Sequence, residues 1–113
     1  MAAIRAYTTI EQSRKLAEIL PLESADMYLW SSGKRYYIEA MDDGDFNEKE
    51  GHVRAWSLAA LLDVLPNGIV IIKDSQNGRY HFSSTHAGTY VTTDNPIDAC
   101  YEMIIKLHEQ KLL

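Results

Sequence analysis

The densest group of potential ligands is "MDDGDFNEKEGH", Met41 to His52, where five acidic side chains fall within the nine residues from Asp42 to Glu50. Asp43, Asp45 and Asn47 alternate like the first three oxygen ligands of an EF-hand calcium loop. Such a loop also needs glycine at its sixth position, where the backbone turns over the ion, and a bidentate glutamate at its twelfth. Counted from Asp43, those positions hold Glu48 and Arg54. A cation stands where the strongest anionic ligand belongs, so the stretch reads as a solvated acidic loop, exposed over about residues 42–52.

His81, Ser83, Ser84 and His86 in "RYHFSSTHAG" have the residue types of a nucleophile and its base. On a strand His81 and Ser83 point one way and Phe82 and Ser84 the other, and no neighbouring carboxylate stands ready to orient a histidine. The spacing matches no zinc pattern. Glu39, among Tyr37, Ile38, Ala40 and Met41, reads as a residue on the wet face of a strand rather than a base of raised pKa. No catalytic, metal or cofactor site is expected, and the chain reads as a non-enzyme.

Two segments interleave cations with rings: Lys34, Arg35, Tyr36 and Tyr37, then Arg79, Tyr80 and Phe82. These residues form the candidate interaction surface, and such a composition stacks bases and contacts phosphates in single-strand binders. Against a nucleic-acid partner stand 11 Lys and Arg facing 16 Asp and Glu, a net charge of −5. Five acids and one lysine between Asp42 and Glu50 account for −4 of it, so the rest of the chain is nearly neutral. Period two also sends Tyr36 and Tyr37 to opposite faces. Trp30 and Trp56 have the chemistry of binding anchors but read first as core, Trp56 the more firmly.

The elements that would position these groups are signalled locally. Thr8 or Thr9, answered three residues later by Glu11 or Gln12, caps a helix from Ile10 to about Leu20, with Ile10, Leu16, Ala17 and Leu20 on its buried face. Glu11 with Lys15 and Arg14 with Glu18 are spaced as i, i+4 pairs. Met27 to Trp30 and Arg35 to Met41 read as a hairpin turning at Gly33. Trp56 or Ser57 to Leu65 is a second, mostly apolar helix. The run "IVII" after Gly68 suggests a strand covered on both faces or central in its sheet. Asn77 and Gly78 suit a turn, Arg79 to Ser84 pairs back, and Thr89 to Thr93 adds a further strand. Asn95 caps a last helix reaching about Gln110, with Pro96 at its first position and Ile97, Cys100, Ile104 and Leu107 inward. Cys100 is therefore expected in the core and inert.

A shift of 45 residues aligns Leu20 with Leu65, Gly33 with Gly78 and Tyr37 with Phe82, which two αββ units sharing a local grammar explain without duplication. At 113 residues, with 46% hydrophobic content, the chain suits one α+β domain. The order αββαββ(β)α predicts an antiparallel sheet of four to five strands from two hairpins, with three helices packed on one face.

One cysteine, and no apolar leader or membrane-length stretch, point to a cytoplasmic setting without membrane insertion. Three stretches, "ESADMYLW" from Glu23, "AWSLAALLDVLP" from Ala55 and "DNPIDACYEMIIKLHEQ" from Asp94, resemble short uncharacterised proteins encoded in gut Bacteroidetes genomes, often within phage or other mobile elements. The resemblance implies an accessory role in a bacterial cytoplasm and transfers no catalytic residue. The expected function is a protein-interaction domain, with a homodimer as one candidate form, single-stranded nucleic-acid binding as the alternative, and an enzyme of unknown reaction using His81, His86 or Glu39 ranked last.

Overall fold

Thr9 opens α1, Ile10–Ala17, through a capping box: its hydroxyl oxygen accepts the Gln12 N–H at 3.2 Å, and the Gln12 side chain accepts the Thr9 N–H at 3.0 Å. Two donors that the helix leaves free are thereby satisfied. The computed structural model describes residues 5–41, 45–85 and 87–113. Along them run β1 (Met27–Ser31), β2 (Tyr36–Ala40), β3 (Val53–Ala55), α2 (Leu58–Val64), β4 (Ile69–Lys73), β5 (Tyr80–Ser84), β6 (Tyr90–Thr93) and α3 (Pro96–Glu109). The potential ligands Asp42, Asp43 and His86 lie outside the described residues.

Capping sets the other helix starts as well. The Ser57 hydroxyl accepts the Ala60 N–H at 3.2 Å, and Asp26 steadies that cap by accepting the Ser57 N–H at 2.9 Å. Asn95 accepts the Ile97 N–H at 2.8 Å, with Pro96 in the first turn where its missing N–H costs nothing. α1 stops short of Leu20 because its end tightens into i, i+3 bonds, Glu18 N–H to Lys15 and Ile19 N–H to Leu16. On its exposed side the ion pair formed is Lys15 with Glu18 at 3.6 Å.

The strands make two antiparallel sheets of three, in the orders β2-β1-β3 and β4-β5-β6, rather than one sheet of four to five. The difference comes from β3. Three residues beside the apolar run of α2 carry no readable period. Yet β3 takes the free side of β1, with Met27 opposite Ala55 and Leu29 opposite Val53, and so occupies the place where the second hairpin would have joined. The helices divide accordingly: α1 packs on β3, whereas α3 packs on β5 and β6 and against α2, so they do not share one sheet face. Sheet topology also answers the 45-residue match. Tyr37 lies on edge strand β2 and Phe82 on central strand β5, so the aligned residues hold unlike places and the duplication reading finds no support.

α3 drives Ile97, Cys100, Met103, Ile104 and Leu107 into a core shared with Leu16, Trp56, Leu61, Phe82 and Val91. The Trp56 indole N–H is satisfied by the Ser24 hydroxyl at 2.9 Å. Among the described residues no helix is long and apolar enough to cross a membrane.

The β-branched strand β4 departs furthest from expectation. It lies at a sheet edge instead of the centre, and Val70, Ile71 and Ile72 are 43%, 46% and 57% exposed. β-Branching specifies an extended backbone, but cover must come from another segment. α3 roofs β5 and β6, and of β4 Ile69 reaches the core while Val70, Ile71 and Ile72 lie beyond that cover.

Candidate interaction surface

Register decides which groups of the second sheet face the same way. Ile72, His81 and Thr92 lie side by side across it, as do Val70, Ser83 and Tyr90. Alternate side chains share a face, so these six residues make the outer surface, while Ile71, Phe82 and Val91 share the face toward α3. The Thr85 N–H donates to the Gly68 carbonyl at 2.9 Å and the Asp74 N–H to the Arg79 carbonyl at 2.8 Å. In an antiparallel ladder those bonds turn the backbone groups of Val70 and Ile72 toward β5. The N–H and C=O groups of Ile69, Ile71 and Lys73 then point out of the sheet, where no strand pairs with them among the described residues. The opposite edge is partly closed, since the Lys106 ammonium donates to the Tyr90 carbonyl at 3.1 Å.

At one end of this face sits a polar cluster. His81 Nε2 lies 3.4 Å from Asp74 Oδ2, and Nδ1 lies 2.6 Å from the Tyr90 hydroxyl and 3.0 Å from Thr92 Oγ1. With Nε2–H toward the carboxylate, Nδ1 is left to accept from the hydroxyls, which fixes the ring and lays it against Tyr90, with centroids 5.9 Å apart. The Asp74 carboxyl is held below its ordinary pKa, chiefly by the N–H groups of Gln76 and Asn77 and further by His81. An orienting carboxylate for His81 thus exists, contrary to expectation. It is supplied across the β4–β5 hairpin: Asp74 lies two residues beyond Ile72, the cross-strand partner of His81, and so makes a diagonal contact. The signal was in the pairing register.

The sequence-derived surface residues are dispersed. Lys34 and Tyr36 are exposed on the first sheet's hairpin, and Tyr37 stacks on Trp30, at 4.6 Å between centroids, and lies 5.0 Å from the Arg35 guanidinium. Arg79 pairs with Asp94 at 3.2 Å, and Tyr80 lies under the Lys73 ammonium at 5.5 Å. Phe82 is buried in the core and offers no surface. Because the two basic-aromatic hairpins belong to different sheets, their rings do not share one open face. Ser84 is also buried, its hydroxyl accepting the Ala87 N–H at 3.1 Å, so it does not join His81. Glu39 is exposed on β2.

Shallow clefts lie along α3 between Lys15 and Tyr101, at Leu22 and Met41, and between Arg14 and Phe46, and these clefts are lined by neither His81 nor Glu39. Among the described residues no group of three or more His, Cys, Asp or Glu is arranged to hold a metal ion. Compared with known proteins, the chain matches no family model, no curated protein and no solved structure.

Proposed function

We propose that this protein is a non-enzymatic interaction domain that contacts a second protein chain, its own copy or a different partner, through the β4 edge of its second sheet, in the cytoplasm of a gut bacterium carrying the phage or mobile element that encodes it. The observation that carries the reading is the exposure of Val70, Ile71 and Ile72 on a strand whose outer backbone groups meet no other strand among the described residues. Natural sheets protect such edges with mid-strand charges, proline or bulges, and β4 carries its charge only at the last residue, Lys73. An edge left in this state is a template for strand addition, in which main-chain bonds supply affinity and alternate side chains supply selectivity. The resemblance to mobile-element proteins supports the accessory role and the setting. Binding of single-stranded nucleic acid has less support, because its aromatic residues lie on two sheets.

The reading is tested by affinity capture from host lysate with the wild-type chain and with Ile72→Asp, both shown folded by circular dichroism. A partner retained by the wild type and lost with the variant supports it. Capture of the same proteins by both overturns it.

A further inference from the structure

The occupant of the β4 edge can be read from the strand itself. We propose that it is β4 of a second copy, paired antiparallel about a two-fold axis at Ile71, so that two three-stranded sheets join into one of six strands. This inference rests on the edge-binding reading above.

The outward backbone groups belong to Ile69, Ile71 and Lys73, with Ile71 in the middle. An axis through Ile71 therefore uses all three: Ile71 exchanges both main-chain bonds with its mate, and each Ile69 exchanges with the other chain's Lys73. The intervening pairs, Val70 with Ile72 in both directions, fall at the closer non-bonded positions, where β-branched side chains pack best. The strand is thus self-complementary in register, as an isologous contact requires.

Charge is compatible with the same axis. The charges of the edge, Lys73 and Asp74, lie at one end, so two-fold pairing carries them to opposite ends of the joint strand pair. The two Lys73 residues are then four positions apart, roughly 13 Å at strand rise, beyond a Debye length of about 8 Å at physiological salt. Geometry adds a reason why Ile71 is exposed at all. It shares a face with Phe82 and Val91, which are buried, but lies beyond the cover of α3. In the pair, the two Ile71 side chains meet side by side in the trough between the two α3 helices and cover each other. A strand of five residues makes a small interface, so association is expected to depend on concentration over the micromolar range.

Light scattering and sedimentation of the full chain across that range test the inference, using wild type, Ile71→Lys, Ile71→Glu and an equimolar mixture of the two variants. Because Ile71 meets itself, each variant alone places like charges on the axis and is expected to stay monomeric, while the mixture regains the dimer mass. Unchanged melting temperatures show that the half-exposed site tolerates both changes. A wild-type dimer that survives both variants, or a mixture that stays monomeric, overturns the inference. A strictly monomeric wild type also overturns it, and a second arm then judges the underlying reading. If capture from host lysate then yields a partner that the wild type retains and Ile72→Asp loses, edge binding stands without self-pairing. If both retain the same proteins, both readings fall.

Discussion

Phe46 meets Tyr28 edge to face, with ring centroids 5.6 Å apart. His52 stacks on the same tyrosine at 5.0 Å, the Asn47 N–H donates to His52 Nδ1 at 3.1 Å, and Arg54 lies over Phe46 at 4.5 Å while pairing with Glu48. The described part of the acidic segment is therefore fastened to the first sheet, and Tyr28 owes part of its burial to it. Phe46→Ala is expected to cost about 1–2 kcal/mol, less than a fully buried phenylalanine, read as a fall in urea midpoint. Replacing residues 42–50 by a Gly/Ser linker should cost at least as much, although the sequence reads there as a solvated, exposed loop. An unchanged midpoint for Phe46→Ala would show that other contacts hold Tyr28.

Asp74 organises the β4–β5 hairpin by accepting the Gln76 and Asn77 N–H groups at 2.7 and 3.4 Å. Because these bonds favour the carboxylate, its folded pKa lies below the ordinary 3.8. The sign follows: the stabilisation is complete above the unfolded value and is lost as pH falls through the lower folded one. Asp74→Ala should lower the urea midpoint at neutral pH, with the gap to wild type narrowing in acid. A gap that stays constant from neutral pH to strong acid would refute the linkage.

Cys100 is fully buried on α3, and burial pushes its thiol up to about 12. The thiolate is the reactive form, so native protein near pH 8 should resist a disulfide reagent and react only on unfolding. The labelling rate should then rise with denaturant as the core opens. Rapid stoichiometric labelling of the native chain would contradict the burial.

Asp98 links the N-termini of two helices. It accepts from the Gln12 side chain at 2.8 Å, pairs with Arg5, and sits in the first turn of α3 where a negative charge suits the helix dipole. Asp98→Ala should cost about 1 kcal/mol by urea unfolding, with part of the loss disappearing at high salt because the ion pair is half exposed. A salt-independent loss would assign the effect to the Gln12 bond alone.

Local chemistry made much of the fold legible. Thr9 with Gln12, and Asn95 with Pro96, announce their helices because a cap depends on residues two or three positions away. The spacing of Ile97, Cys100, Ile104 and Leu107 gave the buried face of α3 for the same reason; of the face expected for α1, Leu16 is buried, Ile10 and Ala17 are half-buried, and Leu20 is buried beyond the helix end. The hairpin of β1 and β2 was readable from its strands and its glycine turn.

Strand neighbours were not readable, because pairing joins residues far apart in the chain and leaves little local trace. Val53–Ala55 was too short to show a period, yet by taking the side of β1 it divided one expected sheet into two. That division took Tyr37 and Tyr80 to different sheets and left β4 at an edge. The candidate site divides along the same line. By itself the sequence determined that "IVII" would be extended, since β-branching acts residue by residue. Only the tertiary structure decided that the strand would be uncovered and that Asp74 would reach His81, because cover and cross-strand contact belong to the neighbours that register brings.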